Sequence, residues 1–291
     1  MHAQPSKKPM GAGPSVTAED RAWAVAATEE LCKTANVFYA RVFVASDRLF
    51  VLIGEQHAPM KPQDMPLLRA IRELCGAVRV DIFLESAHLY RSEYRTRTLS
   101  NEQVDTKINE YLKQGADSLQ VQRVVAELDC DTFRVHTVDV RDNGFMFFTF
   151  NIAPNLQPRA VEMVTDCYSI TLQTNLDYVL KLARSSTRKG LNGSQDISNQ
   201  NANALADEIR PLESTVDLDN VWGAYSKLVD IYMFPRMCRE DNSKTCFFYG
   251  GQNHAQRTAA CVAQLPGTEL LFSFDRPDED EDVAAEDAAA E

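Results

Sequence analysis

The chain has 291 residues, 44% of them hydrophobic, and a formal net charge of −12. That length suits one large α/β domain or two small ones, with enough apolar content for a real core. No run approaches the roughly 18 to 20 consecutive apolar residues of a membrane span, and the opening "MHAQPSKKPMGAGPSVTAED" has no apolar signal-peptide region, so a cytoplasmic protein with no membrane contact is expected.

The acidity is concentrated in residues 275–291, "DRPDEDEDVAAEDAAAE", which hold nine acids and one arginine and leave a charge of −4 for the rest. Such a run predicts a disordered, solvated tail, with binding of a protein partner as its alternative use. Residues 1–17 read as a disordered leader, which leaves 18–274 as a single α/β domain. No Lys/Arg cluster offers a phosphate footprint, so nucleic acid is not an expected partner. The seven cysteines are scattered singly with no C-x-x-C, the pattern of free buried thiols in a reducing compartment.

In chain order, short apolar runs rich in Val, Phe and Ile predict strands at 37–44, 49–53, 79–84, 133–138, 246–249 and 269–274. "ASDR" between the first two predicts a hairpin. Helical spacing appears in Leu67, Leu68, Ile71, Leu74 and Cys75, in Val121, Val124, Val125 and Leu128, and in Val221, Trp222, Tyr225, Leu228, Val229 and Tyr232. The alternation predicts a mixed, mostly parallel sheet flanked by helices, with a helical insertion at about 144–235. Within it "SSTRKGLNGSQDISNQNANA", 185–204, reads as a long loop.

Polar residues gather at the carboxyl ends of four predicted strands. Gly54, Glu55, Gln56 and His57 follow the second; Glu85 follows the third; Asp139 and Arg141 follow the fourth; Gly250, Gly251, Asn253 and His254 follow the fifth. In a mainly parallel sheet those ends share one edge, and ligands bind in the crevice outside it. Glycines there let the backbone turn and approach a ligand, so Gly54, Gly250, Gly251 and Asn253 are candidate substrate-binding residues. Taken singly, a strand-end carboxylate is more often a cap or turn former, and a lone histidine more often structural. His88 and His136 are read as structural.

No G-x-S-x-G elbow, H-E-x-x-H helix, phosphate-binding G-x-x-x-x-G-K-[ST] or G-x-G-x-x-G is present, and no cysteine falls at a strand end beside a base. What remains is chemistry by histidine and carboxylate: an activated water, or a divalent metal held by imidazole and carboxylate oxygens.

The order "GEQH", "FLE", "VDVR", "YGGQNH" resembles the EreA/ChaN and TraB/Tiki superfamily, which includes erythromycin esterases, haem-binding ChaN lipoproteins and metal-dependent Tiki peptidases. It is most similar to proteins of this type encoded by giant DNA viruses, over roughly residues 48–265. The resemblance implies an EreA/ChaN-like fold and a viral protein of host cytoplasm or virion. It places Glu55 and His57 in the first motif, Glu85 in the second, Asp139 and Arg141 in the third and His254 in the last. In the Tiki-like branch such His and Glu positions serve metal-dependent peptide cleavage; in the esterase branch a histidine is the base and no metal is needed. No Tiki-type signal or anchor is expected, and "GGQNHA" differs from the TraB-type "GxGHLPG".

The resulting expectation is a hydrolase of a small-molecule ester or a peptide. His57, His254, Glu55 and Glu85 would form a water-activating centre in one pocket, with or without one divalent ion (Mn, Co or Zn) on His57, Glu85 and His254. Haem is the weaker fit. Arg141, held by Asp139, would stabilise developing oxyanion charge or clamp a substrate carboxylate. The alternative is a non-catalytic ligand-binding or virion structural protein with the same fold.

Overall fold

The computed structural model describes residues 16–33, 36–56, 80–87, 100–114, 133–140, 155, 157–188, 190–211 and 218–276. Their elements run α1 (Ala18–Leu31), β1 (Val37–Ala45), β2 (Arg48–Glu55), β3 (Val80–Ala87), α2 (Asn101–Lys113), β4 (Phe133–Asp139), α3 (Pro158–Thr187), α4 (Ser194–Ile209), α5 (Leu218–Met237), β5 (Thr245–Gly251), α6 (Gln252–Val262) and β6 (Glu269–Asp275). All six predicted strands are present within a residue or three of their expected bounds. The predicted helices at 67–75 and 121–128 lie outside the described residues, as do His57, His88 and Arg141.

The sheet order is β4-β3-β5-β2-β1-β6. β4, β3, β5 and β2 are mutually parallel, and β1 runs antiparallel to both β2 and β6. The expected hairpin joins β1 to β2, its turn residues Ser46 and Asp47 at φ 49° and 57°. Those left-handed angles suit the tight turn that follows the twist of a two-strand ribbon, and Asp tolerates them better than most residues.

β5 enters the sheet last among the parallel strands and lies between β2 and β3. The chain leaves β3 toward β4, but leaves β5 through α6 toward β6 on the other side. The carboxyl ends of β3 and β5 therefore flank a topological switch point, where open α/β sheets form their ligand crevice.

Alternation along the strands divides the core in two. Phe50, Leu52, Phe83, Val138 and Phe248 pack on one face under α3, α4, α5 and α6. Val51, Ile53, Ile82, Leu84, Phe247 and Tyr249 pack on the other, where Ala24 and Leu31 of α1 meet them. α5 is buried along most of its circumference, Val221, Tyr225, Leu228, Val229, Ile231, Met233 and Phe234 all being inaccessible, as for a helix enclosed by neighbours. Its C-terminal end is fixed to the sheet by buried Arg48, which donates to the carbonyls of Met237 (3.1 Å) and Arg239 (2.7 Å). Helix-end carbonyls lack partners inside the helix, so this cation satisfies them.

Two expectations are corrected. The 185–204 stretch is mostly helical: α3 runs to Thr187 and α4 begins at Ser194, after Gly193 turns the chain at φ 77°. Ser194, Ser198, Ala202, Leu205, Ala206 and Ile209 form its buried stripe, in which small polar residues occupy inward positions and disguise the period. The ordered elements also reach one residue past the expected bounds of 18 and 274 at each end. Thr17 caps α1 through a reciprocal bond pair with Asp20, and Asp275 ends β6 and pairs with Arg41 at 2.7 Å.

At the amino edge of the sheet, fully buried Asp81 on β3 gathers neighbouring elements. It accepts from Arg134 Nε (2.7 Å) and Nη2 (2.8 Å), from His136 Nε2 (2.6 Å), and from the backbone N–H and hydroxyl of Ser243. His136 also stacks on Phe83, centroids 4.5 Å apart, in keeping with a structural histidine. Burial disfavours the Asp81 carboxylate, but these donors outweigh it and hold its pKa well below the usual carboxylate range. Asp81→Asn should lower stability, toward the smaller end of the roughly 3–5 kcal/mol for breaking a buried pair because Arg134 can reach water. The depressed pKa gives the sign: Asp81's contribution is present above about pH 4 and lost on acidification. Urea melts of both proteins at pH 7 and pH 3 should show the gap narrowing at the lower pH.

Candidate active site at the carboxyl edge

The site is built from β3, β5, α5 and the first turn of α6. β5 ends in Gly250 and Gly251, α6 starts at Gln252, and His254 is therefore its third residue. A Cβ on Gly250 would stand 2.8 Å from Glu85 Cβ and 3.0 Å from Glu85 Oε2, so the missing side chain is the space that Glu85 fills. A Cβ on Gly54 would meet the backbone of Gln252 at 2.7 Å, so Gly54 lets α6 begin hard against β2. These two glycines admit other parts of the protein itself, where the sequence suggested the approach of a ligand. Asn253 is exposed at the start of α6.

Glu85 Oε2 accepts the Gly251 N–H at 2.6 Å, which sets its carboxylate at the N-terminus of α6, where the helix dipole favours an anion. Its Oε1 lies 3.4 Å from His254 Nε2. On the other side of the ring, His254 Nδ1 is 2.6 Å from Asp230 Oδ1 of α5. Asp230 Oδ2 in turn accepts from Arg257 Nη1 at 2.6 Å. Ser226, one helical turn before Asp230, places Oγ 3.5 Å from His254 Nε2. Glu85, Asp230 and His254 are 1%, 2% and 4% exposed.

Burial works against a charged imidazole, but the Glu85 and Asp230 carboxylates on either side outweigh it and push the His254 pKa up to about 10. The ring is thus an imidazolium at neutral pH, bracketed by two carboxylates.

Of the residues singled out by sequence, Glu85, Gly250, Gly251 and His254 come together. Glu55 shares their sheet edge but faces the other way: the buried hydroxyl of Tyr249, a residue of the α1-side core, donates to its carboxylate. The single pocket expected for Glu55, Glu85 and His254 is therefore divided by the sheet, because alternate side chains point to opposite faces. Asp139 lies between Val138 and Val140, both of the helix-rich face, and alternation turns it away from them.

Asp230, Ser226 and Arg257 were absent from the sequence expectation. The available signal was a single acid inside the apolar run "KLVDIYMF" of a predicted buried helix, since a buried charge needs partners.

Two ligands of one tetrahedral ion at about 2.1 Å lie about 3.4 Å apart, the separation of His254 Nε2 and Glu85 Oε1. A catalytic centre needs about three protein ligands. Among the described residues no group of three His, Cys, Asp or Glu could hold a metal ion. Nor does any helix among them have the length and apolarity to cross a membrane. No protein-family model, curated protein or solved structure matches the chain.

Two outcomes follow from this geometry. Gly250→Ala should displace Glu85 and cost about 1–3 kcal/mol, as overpacking does, measurable in a thermal melt. The raised His254 pKa means that its contribution to stability is complete below about pH 6.5 and lost as pH rises toward about 10. In denaturant titrations across that range, the margin of wild type over His254→Gln, on the order of a few kcal/mol at pH 6, should shrink steadily.

Proposed function

We propose that this chain is a hydrolase of ester or peptide bonds in which Glu85 and His254 are the working acid–base pair. The observation that carries the reading is a buried imidazole held on one nitrogen by a carboxylate and facing a second carboxylate across 3.4 Å, at the switch point of a parallel sheet. Glu85, oriented by the Gly251 N–H, takes a proton from an attacking water. His254, charged at neutral pH, donates to the leaving group or to the developing oxyanion. The motif order resembling the EreA/ChaN and TraB/Tiki superfamily supports the same class of reaction.

In a metal-assisted form of this reading, His254 would give up its Nε2 proton and one Mn, Co or Zn ion would be held by Glu85 and His254 with His57 as third ligand. The ion would supply hydroxide at neutral pH. The ligand-like spacing of Glu85 and His254 favours that form. Their near-complete burial favours the non-catalytic alternative, in which the charged chain only ties helices to the sheet.

The deciding experiment is a hydrolysis screen over esters and peptides, run with EDTA and then with each ion. Glu85→Gln and His254→Gln should each lower kcat by about 10²–10⁴-fold, and the double variant should be little worse, since residues acting as a unit are not additive. Absence of turnover by wild type in every condition, with both variants merely melting lower, would assign the pair to the scaffold.

A further inference from the structure

We propose that Asp230 is the positioning residue of this centre: by holding Nδ1 of His254 it aims Nε2 between Glu85 and Ser226, so that a ligand oxygen is received at Nε2. The inference rests on the hydrolase reading for its catalytic meaning but on geometry for its content.

The two ring nitrogens are held unequally. Nδ1 has a short charge-assisted contact with Asp230 at 2.6 Å. Among the described residues Nε2 meets Glu85 Oε1 at 3.4 Å and Ser226 Oγ at 3.5 Å, both beyond the usual range of about 2.7–3.2 Å. A histidine serving only to neutralise buried charge would gain most by closing both contacts. Here one side is clamped and the contacts on the other are longer, to a carboxylate and a hydroxyl. Those are the groups an incoming water or carbonyl oxygen needs. Ser226 is partly exposed while Glu85 and His254 are not, which makes the α5 side the approach.

Asp230 is itself fixed. Arg257, one turn beyond His254 on α6, takes its other oxygen at 2.6 Å, so the carboxylate cannot rotate away from the ring. Among the described residues, the charged and polar groups facing His254 are thus Asp230 and Ser226 from α5 and Glu85 from β3, with Arg257 of α6 acting through Asp230. Since α5 belongs to the helical insertion, the insertion completes the centre and does more than cover the sheet.

The test is NMR of 15N-labelled protein beside kinetics. Wild type should show a downfield, slowly exchanging Nδ1 proton on one of the five histidines, assigned by its loss in His254→Gln. Asp230→Asn should shift it upfield or broaden it away, and Asp230→Glu should restore it in part. With a substrate from the screen, Asp230→Asn should lower kcat by about 100-fold or more while KM changes little. The proposal is overturned if wild-type His254 lacks the bonded Nδ1 proton, a measurement that needs no variant to fold. It is equally overturned if Asp230→Asn turns over at the wild-type kcat. Wild type that shows the proton, loses it in Asp230→Asn and hydrolyses nothing would uphold the positioning and end the hydrolase reading.

Discussion

Three ionisable side chains that water scarcely reaches must compensate one another, and the helices on one face of the sheet are arranged around that requirement. Asp230, His254 and Glu85 come from α5, α6 and β3, which are far apart in sequence. Removing charges from water costs several kcal/mol each unless they are paired and hydrogen-bonded. The chain meets the cost by alternating sign along a line, from Arg257 through Asp230 and His254 to Glu85, and by setting Glu85 on the N-terminus of α6. Such a line is sensitive to the docking of α5, because a small shift there would leave two carboxylates facing an unheld imidazole.

The sheet carries another buried acid at its amino edge, and its surroundings contrast with those of His254. Asp81 is surrounded by short contacts from Arg134, His136 and Ser243. Burial holds the His136 pKa below its ordinary value against the pull of Asp81. His254, with carboxylates on both sides, goes the other way. Both histidines are enclosed and both touch an aspartate; what distinguishes them is the second carboxylate, Glu85, on the far side of the His254 ring.

Glycine has a related part. Gly54 and Gly250 pair directly across β2 and β5. One brings the backbone of α6 against β2, and the other leaves room for Glu85. A side chain at either position would press on α6 or on Glu85, so these residues shape the placement of His254 and Glu85 from behind.

Much of this was legible in the chain alone. Short β-branched and aromatic runs marked all six strands, "ASDR" marked the hairpin, and the 221–232 stripe marked α5, because strand and helix periods are local consequences of backbone geometry. The clustering of polar residues at carboxyl ends located the edge that holds Glu85 and His254. Three features needed the tertiary structure. The helix within 185–204 hides its period because serines and alanines fill its inward positions, and only packing against α3 and α5 reveals which side is buried. Glu55 and Glu85 look equivalent as strand-end acids, yet the pleat sends them to opposite faces, which depends on the register of β2 and β3 against β5. Asp230 reaches His254 across 24 residues of sequence, through the docking of one helix on another. Periodicity constrains what a residue does within its own element; which charges meet is decided between elements, by the order in which strands enter the sheet.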